Sequence, residues 1–497
     1  MENQTIMHDE HGKNEMKPMT TFNHRVWWGL LIGIVLLVIF LRGLLIFSYN
    51  SNLEGTEEFS VFLTKMTIET GSFYPIEKAT CVTVPYSPLY FDFTAWVTST
   101  MNPCEEAVPI SIYRTGRFLN LIYNLLSLIA VVVLGHLLGL SRKRSFWVGG
   151  LYFILLTPHH FAVRPDSIRA LLVATSVMTM VQYIRARQFS LLFLVLSGIT
   201  ASLAVAVKFD AIQLIILFAL FIMTLPQSRR ISCFLVFSVS LLSVYYFFIS
   251  GNIAFDNMMS SINSGFILEY FMWMIGIGFL VPFMPWILRL IHLYASANFH
   301  KFSSENKLIA IGLCVTFSLS LIFSFRFGSA PVYFSDFFLF AVIAVGKNWS
   351  DFFRPIAWKF LAAFTISVKI VFLCLLAVRS MENKHIIRYL KNQKVAHQIK
   401  ARLRPNQYAY AYDNQVNLFL FEKLSTINHG LELTKFQFYK QGIDIDLSHY
   451  ADPSSCQKPS IVAVPLEAWV DTDYFDKFWP ELTPVDTLNR YVLLESM

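Results

Sequence analysis

Between residues 26 and 379 one pattern recurs: a long apolar run, a short polar break, then another run. Runs of about 20 apolar residues, wound as helices, match the hydrocarbon thickness of a bilayer. They lie at 26–48, 117–140, 146–162, 167–184, 189–207, 210–226, 231–250, 267–291, 308–325, 331–346 and 360–379, which predicts about eleven membrane helices. The first run is too long for a cleaved signal peptide, and no small-residue cleavage site follows it. Two stretches break the pattern. The first, 49–116, is a polar loop in which Phe59, Phe62, Leu63 and Met66 fall on one helix face. That spacing predicts a short helix along the membrane surface. The second, 380–497, has mixed periodicity. HIIRYLKNQKVAHQIKARL and DTDYFDKFWPEL read as helices, and YAYAYD, SIVAVPL and RYVLLES as short strands. A small α/β domain is expected there, after an N-terminal arm (1–25) and a membrane domain (26–379).

Positive charge orients the helices. Every second connection is basic: Lys13, Lys17 and Arg25 in the arm, then Arg142–Arg144, Arg185 and Arg187, Arg229 and Arg230, Lys301 and Lys307, Lys347 and Arg354. The positive-inside rule puts this set in the cytoplasm. The loop 49–116 and the C-terminal domain are then expected outside.

Composition agrees with a polytopic membrane protein. The chain is 55% hydrophobic and only 15% charged, with 47 Phe, and its mean hydropathy is +0.51. A soluble globular class is excluded on that basis. The net charge of +7 is spread over membrane flanks and gives no reason to expect a nucleic-acid partner. Cys233, Cys314 and Cys374 lie in apolar runs and read as packing residues. Cys81 and Cys104 share the outer loop, where an oxidising compartment permits a disulfide.

Three acids, Glu54, Glu57 and Glu58, open the outer-loop helix. In water they would do no more than complement its dipole. Other charges gather on the same expected face: Arg114 and Arg117, Arg164 and Asp166, Lys208 and Asp210, and Arg326. Charged groups beside hydrocarbon are costly and mark function. Taken singly, each cation reads equally as a residue snorkelling to water. His159 and His160 are adjacent and do not have ligand spacing on one helix face. The small, polar stretch 251–266 serves equally as a connector or as a lid.

In order and placement these elements resemble the GT-C superfamily of membrane glycosyltransferases, in the bacterial branch near the protein mannosyltransferases and aminoarabinose transferases. The resemblance spans about residues 25–350. It rests on LEGTEEF, on Gly71 and Tyr74 with Tyr86, Pro88 and Leu89, on Arg117, on the Arg164-Pro165-Asp166 triplet, and on Arg326 before Gly328 and Ser329. Many relatives have Asp-Glu where this chain has Leu53-Glu54. The resemblance implies a bundle of transmembrane helices with an outer-face site. It also implies transfer of a sugar, with inversion, from a polyprenyl-phosphate donor to a hydroxyl on a glycan, lipid or protein. Glu54 is then the expected base, with Glu57 and Glu58 as alternative acids and Asp166 as a second site carboxylate. Arg117, Arg164, Lys208 and Arg326 are the expected phosphate ligands, because fixed cations stabilise charge as the phosphate departs. Whether a divalent cation takes part is left open, as is the choice between a bacterial inner membrane and an endoplasmic-reticulum membrane. Two other readings of the same chain are a transporter of lipid-linked substrates and a non-catalytic scaffold. Charge gathered at one face, away from the midplane, favours the enzyme over the transporter.

Overall fold

The computed structural model describes residues 22–51, 53, 57–71, 88–101, 109–157, 160–186, 190–246, 272, 281–295, 302–324, 331–353, 356–424, 436, 439, 459–470 and 473–496. Among the described residues, each expected apolar segment overlaps a helix. These helices are α1 (Phe22–Phe47), α4 (Pro109–Leu137), α5 (Arg142–Leu156), α6 (Asp166–Arg185), α7 (Ser190–Val207), α8 (Ile212–Ile222), α9 (Gln227–Val244), α10 (Val281–Ala295), α11 (Ser304–Ser324), α12 (Ser335–Lys347) and α13 (Ile356–Ser380). Among the described residues six helices are long and apolar enough to cross a bilayer, those in α1, α4, α6, α7, α11 and α13. The segment between α1 and α4 contributes α2 (Glu57–Thr70) and α3 (Pro88–Met101).

Local chemistry sets the joints. Gly139, at φ +83°, ends α4 in the left-handed conformation that glycine adopts without steric cost. Leu140 N–H then donates back to Gly135 O at 3.0 Å. Ser141 caps α5 by accepting from Arg144 N–H at 3.4 Å. Small residues let α6 and α7 approach closely. Ser176 Oγ donates to Ser197 O at 2.8 Å and Ser197 Oγ returns the bond to Ser176 O at 3.0 Å.

The two ends of the bundle differ in kind. At one end basic side chains meet helix ends and loops. Arg229 donates to Ile184 O, Arg230 to Met223 O and Leu225 O, and Lys347 to Asn306 Oδ1. At the other end buried carboxylates and cations are paired, and the C-terminal residues sit there.

After α13 the chain forms α14 (Asn383–Arg402), β1 (Ala409–Ala411), α15 (Asn414–Leu420), β2 (Ile461–Pro465), two short helices, α16 (Leu466–Val470) and α17 (Tyr474–Phe478), then β3 (Leu482–Leu488) and β4 (Tyr491–Ser496). The sheet order is β1-β2-β4-β3, with β1 parallel to β2 and the other pairs antiparallel. Strand β3 is absent from the sequence reading. Pro484 and Asp486 break its alternation, and the ladder shifts register between them. Asn489, at φ 55°, makes the tight connection to β4.

The outer loop and the tail share one core. Val61, Leu63, Tyr90 and Tyr113 pack in the same cluster as Ile399, Tyr410, Val462 and Leu493. Phe62 meets Phe421 at 5.6 Å between ring centroids.

Candidate active site

The site is built around an irregular stretch, 160–165, between α5 and α6. Three helices clamp it. Arg42 of α1, Asn124 of α4 and Ser167 of α6 all donate to His160 O, at 2.8, 3.0 and 2.9 Å. Asn120 of α4 donates to Ala162 O. Val163 N–H donates to Glu57 Oε1 of α2 at 2.9 Å. Backbone groups that would be orphaned at membrane depth are thereby satisfied, and the following Arg164-Pro165-Asp166 is held in place.

Asp166, fully buried at the head of α6, receives two cations. Lys208 Nζ lies 2.6 Å from its Oδ1, and Arg164 Nε lies 3.1 Å from its Oδ2. The cluster continues inward. Lys208 is 3.7 Å from Asp210, Asp210 is 3.0 Å from Arg169, and Arg169 is 2.6 Å from Asp336. Ser335 accepts from Arg169 at 2.9 Å, and Gln213 donates to Asp336. Three cations thus alternate with three carboxylates in a buried chain of zero net charge. Such pairing is what makes buried charge tolerable. Burial works to lower the Lys208 pKa, but Asp166 and Asp210 outweigh it and hold the ammonium above its ordinary value. Lys208 also lies over the Tyr333 ring at 4.8 Å. Arg164 and Lys208 are the outermost cations of the chain, with side chains 10% and 7% exposed against 0% for Arg169.

The structure separates the sequence candidates. It brings Asp166, Arg164 and Lys208 together. Arg117 takes a different role from the one expected of a phosphate ligand. Its Nε and Nη2 bind Glu57 at 2.8 and 2.7 Å. Its Nη1 serves Leu45 O and Ser48 O at 2.9 and 2.8 Å, and Nη2 also serves Asn50 O at 2.5 Å. All five guanidinium N–H groups are therefore used within the chain. Glu57 is correspondingly committed to Arg117 and Val163. Glu57 and Glu58 do start a helix, but they are buried in it where water was expected. Glu58 accepts from Ser51 Oγ at 2.5 Å. Burial and the Asp413 carboxylate push its pKa up to about 8, against smaller lowering effects of Ser51 and Arg388. Asp413 belongs to the tail and is held by Arg388 and Tyr491, each at 2.9 Å. Glu54, Arg326, Cys81, Cys104, His159 and the stretch 251–266 lie outside the described residues.

Sequence reasoning missed Arg169, Gln213 and Asp336. Two of them carried a usable signal, since Arg169 and Asp336 are ionisable residues inside apolar segments. Asp210, grouped with Lys208 in the sequence, pairs with both Lys208 and Arg169. Among the described residues no group of three His, Cys, Asp or Glu side chains is arranged to hold a metal ion.

No family model matches this chain, and no curated protein matches it either. Solved structures do. ArnT from Cupriavidus metallidurans bound to undecaprenyl phosphate superposes with a TM-score of 0.58 at 14% identity, covering 94% of this chain and 98% of that one. The apo state of the same protein gives 0.56 at 13% identity, covering 95% and 98%. The archaeal oligosaccharyltransferase AglB from Archaeoglobus fulgidus, in complex with an inhibitory peptide and a dolichol-phosphate, gives 0.51 at 10% identity, covering 92% and 71%. The fold is the one these solved structures share, and the likeness to ArnT runs over nearly the whole length of this chain.

Proposed function

We propose that this protein is a membrane glycosyltransferase. It moves a sugar from a polyprenyl-phosphate donor to an acceptor hydroxyl at the extracytoplasmic face. One observation carries the reading: a chain-long likeness to ArnT, a fold solved with undecaprenyl phosphate, in a molecule whose buried Arg164–Asp166–Lys208 cluster sits at the non-basic end of the bundle. The positive-inside rule puts that end outside the cytosol.

In the reaction the acceptor oxygen attacks the anomeric carbon and the carbon–oxygen bond to phosphate breaks. The hydroxyl proton passes to a carboxylate, and polyprenyl phosphate leaves with the bonding pair. The attack inverts the anomeric centre. Glu54, three residues before the anchored Glu57, is the proposed base. Arg164, Lys208 and Arg326 are the proposed phosphate ligands. Preorganised cations of this kind stabilise the charge that develops on the leaving group. Asp166 orients Arg164 and Lys208, and Arg117 positions the loop carrying Glu54 by fixing Glu57. The chemistry asks nothing further of Glu57 or Arg117.

The test is release of polyprenyl phosphate by purified protein in lipid, from a panel of radiolabelled polyprenyl-phosphate sugars with membrane extract as acceptor. Wild type should release it. Glu54→Gln should lose the activity while still binding donor, and Lys208→Met should lose about 10²-fold or more. Absence of release with every donor, from protein of native thermal stability, would overturn the proposal.

A further inference from the structure

Helix α14, immediately after the last membrane span, has an exposed face that no described residue covers. Its buried side is Tyr389, Asn392, Val395, Ala396 and Ile399, packed against α15 and the C-terminal core. The opposite side begins with Ile386, Ile387 and Leu390, which are 39%, 50% and 56% exposed. On α13, Val368, Phe372 and Leu375 are likewise exposed. The sequence NKHIIRYLKNQKVAHQIKAR contains six Lys and Arg and no acid. Lys384, Lys391 and Lys394 are exposed around and beyond the apolar patch, with Lys384 also reaching Glu382 at 2.5 Å.

The helix also stays low. At the end of α13, Ser48 donates to Ser380 O at 2.5 Å and Asn50 to Ser380 Oγ at 3.1 Å. Nine residues later, Tyr389 meets the ring of Tyr49 at 5.4 Å. A helix continuing straight out of the membrane would have risen about 13 Å over that interval. Instead both points touch the same three-residue stretch, 48–50, at the mouth of α1. That mouth marks the membrane boundary, because Phe47 is 62% exposed in line with the lipid-facing side of α1.

We propose that α14 lies along the membrane surface, with Ile386, Ile387 and Leu390 in the acyl boundary and Lys391 and Lys394 on anionic lipid headgroups. Apolar residues on one face bordered by lysine are what an interfacial helix needs, and lysine stems cover apolar surface while the ammonium reaches phosphate. The consequence is that the C-terminal domain is seated on the bilayer. Its orientation over the active-site end then depends on anionic lipid. The inference uses none of the proposed chemistry and stands or falls apart from it.

The full-length protein in nanodiscs tests this. Photoreactive p-benzoylphenylalanine is placed at position 387 and at 372 on α13 as a lipid-facing reference. Discs contain phosphatidylcholine alone or with about one third phosphatidylglycerol, and lipid adducts are counted by mass spectrometry. Position 387 should give lipid adducts comparable with 372, rising with phosphatidylglycerol. Each lysine near a charged surface contributes about fivefold to association, so Lys391→Glu combined with Lys394→Glu should abolish the phosphatidylglycerol dependence. Adducts at 387 several-fold rarer than at 372, while 372 still labels, would overturn the placement of the helix. Adducts indifferent to phosphatidylglycerol and to charge reversal would overturn the headgroup contact. Capture of protein or glycan in place of lipid at 387 would assign the face to an acceptor.

Discussion

Replacing Arg117 by methionine separates an architectural role from a catalytic one. The wild-type guanidinium makes five hydrogen bonds, two to Glu57 and three to the carbonyls of Leu45, Ser48 and Asn50. Methionine fills much of the volume and supplies none of them. Glu57, 0% exposed, is then left with Val163 N–H as its remaining hydrogen bond among the described residues. Removing one member of a buried pair costs about 3–5 kcal/mol, because the other charge stays buried and unpaired. The orphaned carbonyls add to this, since each unsatisfied buried group costs about 1–3 kcal/mol. Whole-domain stabilities are about 5–15 kcal/mol, so the loss is large. Arg117→Met should lower the apparent thermal midpoint, followed by tryptophan fluorescence in detergent, and expose the loop around 48–58 to protease. Removing both charges as Glu57→Met with Arg117→Met should recover much of the loss, because an apolar pair leaves no stranded charge. The reasoning fails if Arg117→Met melts with wild type and is protease-resistant but no longer binds polyprenyl phosphate. That result would make the guanidinium a donor ligand.

Two further outcomes follow from the outer-loop helices. Glu58, with its pKa raised from 4.5 to about 8, holds a proton in the folded protein that an unfolded chain would release. That contribution to stability is complete below about pH 4.5 and is lost as pH rises through about 8. Glu58→Gln should therefore flatten the fall of thermal midpoint between about pH 4.5 and 8, and parallel profiles for the two proteins would discount the buried acid. Gly116 precedes Arg117 on α4, and a Cβ there would sit 2.6 Å from Val163 Cγ1. Gly116→Ala should destabilise by about 1–3 kcal/mol through overpacking and loosen the Val163–Glu57 bond, read as faster amide exchange at Val163. Unchanged exchange with wild-type stability would show that Val163 yields freely.

The sequence by itself determined the helices, the mixed nature of the tail and a set of charges on one expected face. Hydrophobic runs report helices well because lipid leaves a spanning segment no other way to satisfy its backbone. They also carried Asp166, Arg164 and Lys208 into view, since charge beside an apolar run is conspicuous. Pairing was decided only in three dimensions. Arg117 and Glu57 are 60 positions apart, and nothing local distinguishes a cation that holds a loop from one aimed at a ligand. Asp336 joins Arg169 across 167 positions, by the packing of α6 against α12. The outer-loop acids show the same limit. Their spacing marks a helix start, which the structure has, but whether they face water depends on what covers them. The cover is the C-terminal domain, whose Asp413 raises the Glu58 pKa. Strand β3 was lost for a related reason: it pairs with β4 while largely exposed, so its own side chains carry little of the pattern that burial imposes.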